Sequence, residues 1–168
     1  MNIVKNIEQK ILATVGLAVV ASLSWVSGAN AQSLGEIERK IAISEVPLTV
    51  MSTVRAASGG EPNKAKVQVN SDGTTVYELG GQNQQGFDFE IEITPDGTII
   101  EIDEQIERSA VPEKVMKALK FWLPQAEIVS TWRSTRYTSF DYHYEIVIGE
   151  DFWVDIPADA SSLKINSF

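Results

Sequence analysis

Ser44-Glu45-Val46-Pro47-Leu48-Thr49-Val50-Met51 returns later in the chain as Ser109-Ala110-Val111-Pro112-Glu113-Lys114-Val115-Met116. Five of the eight positions are identical at an offset of 65. Tyr77-Glu78 answers Tyr144-Glu145 at an offset of 67, and Phe89-Glu90-Ile91-Glu92-Ile93 answers Phe152-Trp153-Val154-Asp155-Ile156 at 63. That last offset also carries Asp96-Gly97 onto Asp159-Ala160 and Ile102 onto Ile165. Colinear matches with slightly drifting offsets are what two copies of one unit give when only loop lengths differ.

Inside each copy the hydrophobic period changes once. Pro47 suits the opening turn of a helix, where its missing N–H is no loss, and Ser44 or Glu45 can cap the amides just inside. Val46, Val50, Met51 and Val54 then recur at helical spacing until Gly59-Gly60. In the second copy Val115, Met116, Leu119 and either Trp122 or Leu123 point inward while Lys114, Lys117 and Lys120 mark the solvated face. After the helix the period becomes two: Ala65, Val67 and Val69 alternate with Lys64, Lys66 and Gln68. Asp72-Gly73 and Pro95-Asp96-Gly97 are turns, and Phe87, Phe89, Ile91 and Ile93 alternate with Asp88, Glu90 and Glu92 between them. Ile100 and Ile102 fall on the last strand of the first copy.

The expected fold is therefore α+β: a tandem repeat of a helix plus an about four-stranded antiparallel sheet, with the helices on one sheet face. The two sheets lie side by side or run on as one. Residues 46–105 make the first repeat and 106–168 the second, with a helical segment over 32–45 suggested by Leu34, Ile37 and Ile41. The Val-Pro-x-x-Val starts, the Tyr-Glu strands, the alternating acidic strand and the Pro-Asp-Gly-Thr turn resemble the PepSY-like group. Its members are exported proteins described as relatives of the β-lactamase inhibitor protein, itself a tandem helix-plus-sheet repeat. The resemblance spans residues 44–166 and implies a protein-binding or inhibitor-like role without a shared enzymatic activity. The second copy departs from the pattern where Ala160 replaces the turn glycine and in the irregular Ser/Thr/Arg/aromatic stretch from Trp132 to Asp141. That stretch either is presented on a long mobile hairpin loop or, from Trp132, continues the inward alternation of Ala126, Ile128 and Ser130.

Residues 1–31 read as a signal peptide. Lys5 and Lys10 make a basic start, Ile11 to Val26 carries no charge, and Ala29-Asn30-Ala31 offers a small-x-small cleavage site before Gln32. The apolar run of 16 residues is short for a bilayer span, so cleavage is favoured over a retained anchor. Without that segment 12 basic and 22 acidic residues remain. Such a balance argues against nucleic acid and against adsorption to anionic lipid. There is no cysteine, which removes disulfides, thiol nucleophiles and a lipidated N-terminus together. The periplasm or the outside of the cell is the expected location.

Catalytic arrangements are scarce. His143 is the single histidine, flanked by Tyr142 and Tyr144, and no glycine-framed serine accompanies it. One histidine is also too few for an ordinary zinc centre. Asp88, Glu90 and Glu92 share one strand face, about 7 Å apart along the chain, but a row of like acids on a solvated strand gives none of them a distinct role. Gly80-Gly81-Gln82-Asn83-Gln84-Gln85-Gly86 lacks the Lys-Ser/Thr of a phosphate loop. No cofactor, metal or enzymatic activity is expected.

The candidate site is the sheet face opposite the helices. Alternation places Asp88, Glu90 and Glu92 there in the first copy, and Asp151, Trp153 and Asp155 in the second, joined by Glu78, His143 and Glu145. Trp153 stands where the first copy has Glu90, and an aromatic on an open face is a candidate anchor for a partner. Trp132, Arg133, Arg136 and Tyr137 form a second candidate, rich in the residue types that interface cores favour. The expected function is a non-enzymatic module binding an envelope protein. The alternative is a small-ligand or cation sensor.

Overall fold

The computed structural model describes residues 37–139 and 141–167. The signal-peptide reading of residues 1–31 lies outside them. Two α-helices are present among the described residues, α1 (Leu48–Ser58) and α2 (Glu113–Trp122). Each is entered by a proline, Pro47 or Pro112, preceded by a 3-10 turn at Ile43–Glu45 or Arg108–Ala110. No side chain caps either α-helix; Glu45 instead accepts from the Ala42 amide at 2.8 Å and closes the first 3-10 turn. Helix α1 stops at Gly59, whose φ of 65° is the left-handed conformation a glycine adopts at little cost, and its amide returns to Arg55 O at 3.1 Å.

Among the described residues nine strands follow chain order: β1 (Ile37–Lys40), β2 (Gly60–Val69), β3 (Thr75–Asn83), β4 (Asp88–Ile93), β5 (Ile99–Ile106), β6 (Ile128–Arg136), β7 (Asp141–Ile148), β8 (Phe152–Pro157) and β9 (Lys164–Ser167). They form one antiparallel sheet in which every strand pairs with its neighbour in sequence. This corrects the expected fold. A tandem unit of helix plus four-stranded sheet is replaced by a single nine-stranded sheet, dominated by strand, with two helices lying on it. The decisive pairing is β5 with β6, from Glu101↔Arg136 to Ile106↔Thr131. It crosses the expected boundary at residues 105 and 106, and the described residues belong to one compact unit. The physical reason is the edge: a sheet ending at β5 would leave a row of unpaired amides and carbonyls, which β6 satisfies.

Two further expectations are corrected. The segment expected to be helical within 32–45 contains strand β1, paired from Ile37↔Val69 to Lys40↔Lys66. Its apolar residues are too few to sustain a helical stripe, while β2 offers an open edge. Nor is Trp132 to Asp141 a long loop, because residues up to Arg136 belong to β6 and β7 begins at Asp141.

Both helices cover the same sheet face. Under α1, Val50, Met51 and Val54 pack on Ala65, Leu79, Phe89, Ile91 and Ile93. Under α2, Val115 and Leu119 pack on Tyr144, Ile146, Ile148, Val154 and Ile156. Register places Phe89, Glu104, Arg133, Tyr144 and Ile156 in one row across β4 to β8, so the two clusters share a face. Each fully buried aliphatic side chain there is worth roughly 1.5–3 kcal/mol.

Candidate functional site: the helix-free sheet face

Residues that alternate with the core occupy the other face, and the register brings them into rows. One row reads Lys66, Glu78, Glu92, Glu101, Arg136 and Asp141 across β2 to β7. The next reads Glu90, Asp103, Ser134 and His143, and a third Gln105, Trp132, Glu145, Asp155 and Lys164. A fourth holds Ser130, Val147, Trp153 and Asn166.

Four carboxylate pairs stand directly opposite one another on this face: Glu78↔Glu92, Glu92↔Glu101, Glu90↔Asp103 and Glu145↔Asp155. Directly opposed like charges destabilise a sheet. Part of the charge is answered locally. Lys66 Nζ lies 2.9 Å from Glu78, Arg136 Nε donates to Glu101 Oε1 at 2.8 Å, and Ser134 Oγ donates to the same oxygen at 2.6 Å. His143 Nδ1 and Asp155 Oδ1 are 3.1 Å apart. Asp103 Oδ1 is buried without a hydrogen-bond partner.

The crowding shows in proton affinity. Glu145 is pushed up to about 7, first by burial and then by the charges of Asp103, Asp155 and Glu101. Asp103 is pushed up to about 6, again by burial first, with Glu101, Glu90 and Glu92 adding to it. Glu90 is raised by burial and by Glu78. Glu145 and Asp103 therefore carry less than full charge near neutrality.

Beside the acids lies an apolar strip. Trp132 and Trp153 are both half-buried, Trp132 Nε1 donates to Ser130 Oγ at 3.0 Å, and Val147 pairs with both Ser130 and Trp153. A bulge at Val129, between Ile128 and Ser130, turns Ile128 toward the core while Ser130 and Trp132 face away from the helices.

The sequence candidates divide accordingly. Asp88, Glu90, Glu92, His143, Glu145, Trp153, Asp155, Trp132 and Arg136 are brought to this face. Arg133 is not: three residues from Arg136, it projects to the helix side and donates through Nε to Glu104 at 2.9 Å. Asp151 sits in the β7–β8 turn and Tyr137 in the turn after β6, both exposed and both outside the rows. Sequence reasoning missed Glu101, Asp103, Gln105 and Ser134. The alternation of Glu101 and Asp103 with Ile102 was the available signal. Ser134 needed the β5–β6 pairing. Among the described residues no three His, Asp or Glu side chains gather as a metal site.

No family model and no curated protein matches this chain. Among solved structures it is similar to a candidate periplasmic protein from Bacteroides eggerthii DSM 20697. The match has 12% identity and a TM-score of 0.52, and covers 73% of this chain and 88% of that one. At that identity the likeness concerns the fold alone. Among the described residues no helix is long and apolar enough to cross a membrane.

Proposed function

We propose that this chain is an exported, non-enzymatic binding module whose helix-free sheet face docks a protein of the cell envelope presenting positive charge. One observation carries the reading: four carboxylate pairs held in direct register on one face, next to two half-buried tryptophans. Such pairing works against the fold, and a cationic partner would relieve it while Trp132 and Trp153 supply apolar contact. The resemblance to the PepSY-like group points the same way and adds an inhibitor-like role as the finer proposal. Residues 1–31 and the description of the structural neighbour support a periplasmic location.

The test is photo-crosslinking in intact cells from a reactive residue at position 155, with and without Trp153→Ala. The expected result is a discrete adduct to one envelope protein, lost in the Trp153→Ala background and weakened by Glu90→Gln with Asp103→Asn. Equal adduct formation from position 53, on the helix side, or an adduct indifferent to all three substitutions, would refute the reading.

A further inference from the structure

The helix layer has the opposite character to the face beneath it. Helices α1 and α2 together carry Arg55, Lys114, Lys117 and Lys120 against Glu113 alone, in a chain with 23 acidic residues. Arg55 is engaged by Glu61 at 2.9 Å and Lys117 by Glu113 at 2.8 Å, and Lys114 is near enough to Asp159 to lower its pKa. Lys120 appears in no ion pair among the described residues.

The same layer exposes large apolar side chains. Phe121 is 77% exposed, Trp122 57% and Leu48 85%. Phe121 and Trp122 meet edge to face with ring centroids 5.2 Å apart. Phe121 lies four residues after Lys117 and seven after Lys114, so helical spacing puts all three on the outward stripe, opposite Val115 and Leu119. An aromatic pair at the end of a lysine-bearing helix has the composition of segments that rest in the interface of a bilayer, rings among the headgroups and ammonium groups over anionic lipid.

We propose that the outer face of α2 docks on an anionic lipid bilayer through Phe121, with Lys114 and Lys120 over the headgroups. Trp122, which shares the stripe of Val115 and Leu119 but is exposed at the helix end, lies at the rim of the contact. The chain's overall acidity does not forbid this. The carboxylate rows lie on the far side of the sheet, beyond at least a helix diameter of about 10 Å. At physiological salt that exceeds the screening length of roughly 8 Å. Docking in this orientation leaves the acidic face turned away from the membrane.

The protein, purified as its own cells process it, is sedimented with phosphatidylcholine vesicles with and without phosphatidylglycerol. Binding is expected only with phosphatidylglycerol and falls as salt is raised. Phe121→Ser with Trp122→Ser abolishes it at unchanged far-ultraviolet circular dichroism. Lys114→Gln with Lys120→Gln, exposed positions that leave the core intact, weakens it about fivefold for each lysine removed. No binding to phosphatidylglycerol vesicles overturns the proposal, and so does binding that survives both double substitutions. A concentration-dependent dimer in sedimentation velocity that Phe121→Ser dissolves, without vesicle binding, would assign the patch to a second copy and equally overturn it.

Discussion

Arg136 Nε lies 2.8 Å from Glu101 Oε1, joining β6 to β5 on the helix-free face. The Glu101 side chain is only 14% exposed, whereas that of Arg136 is 52% exposed. Arg136→Ala therefore strands a mostly buried carboxylate among Asp103 and Glu92. It is expected to lower stability by about 1–2 kcal/mol, between the values of exposed and buried pairs. Glu101→Gln should cost less, because an amide still accepts from Ser134 and the charge left over, on Arg136, is half-exposed to water. Urea unfolding of both single variants and the double variant measures the coupling; a coupling near zero would show the pair to be without energetic consequence.

Stability should rise on mild acidification. Glu145 is raised from 4.5 to about 7 and Asp103 from 3.8 to about 6. Between those limits the folded chain holds protons that the unfolded chain has released, so stability is lost as pH rises through the window. The melting temperature is accordingly expected to climb from pH 8 to pH 5.5 by several degrees, solvent screening reducing the full linkage value. Glu145→Gln should flatten much of that slope and raise the melting temperature at pH 8. A flat profile in the wild type would contradict the crowding described here. Asp72 and Asp159, lowered by hydrogen bonds from Thr74 and Ser161, and Asp96, lowered first by the Thr94 hydroxyl and then by the Thr98 amide, act in the opposite sense only at strongly acidic pH.

The two faces should respond differently to truncation. Ile156 is fully buried on the helix side, and Ile156→Ala is expected to cost about 2–5 kcal/mol. Trp153, half-buried three residues earlier on the other face, should cost roughly 1 kcal/mol when changed to Ala. Thermal melts of the two variants decide this. A larger loss for Trp153→Ala would make the tryptophan part of the core.

Gly81 has no room for a side chain. A Cβ there would lie 2.5 Å from Glu61 O and 3.0 Å from the Pro62 Cα, beside the bulge in β2. Gly81→Ala is predicted to destabilise by roughly 1–3 kcal/mol through backbone displacement at the β2–β3 pairing. Gly73→Ala, where nothing stands within 4 Å but φ is 83°, tests conformational strain alone.

Much of the local structure could be read from periodicity. Pro47 and Pro112 announce the helices, and Phe89, Ile91 and Ile93 do fall on the covered side of β4. What failed was assembly. Nothing local in Ile99–Ile106 says that its free edge will take Ile128–Arg136 as a partner, so the choice between two sheets side by side and one continuous sheet stayed open, and the chain was described as two helix-plus-sheet units. Arg133 was grouped with Trp132 and Arg136 as one patch, whereas alternation along β6 sends it to the helix side. The bulge at Val129, a pairing property invisible in the residues themselves, is what turns Trp132 away from the helices. Asp151 was misplaced because strict alternation was carried back beyond the start of β8 into the turn before it. Of the candidate face, the acids on β4 and the tryptophan on β8 were legible. Their convergence with Glu101, Asp103 and Ser134 depends on contacts between strands.

Among the described residues the outermost strands, β1 and β9, span four residues each, and β1 places Glu38, Arg39 and Lys40 in succession on its rim. Short, charged rims discourage another chain from adding itself to the array. Copies of this protein should accordingly resist end-to-end polymerisation at high concentration, so that a broad pleated surface can stay open without seeding fibres.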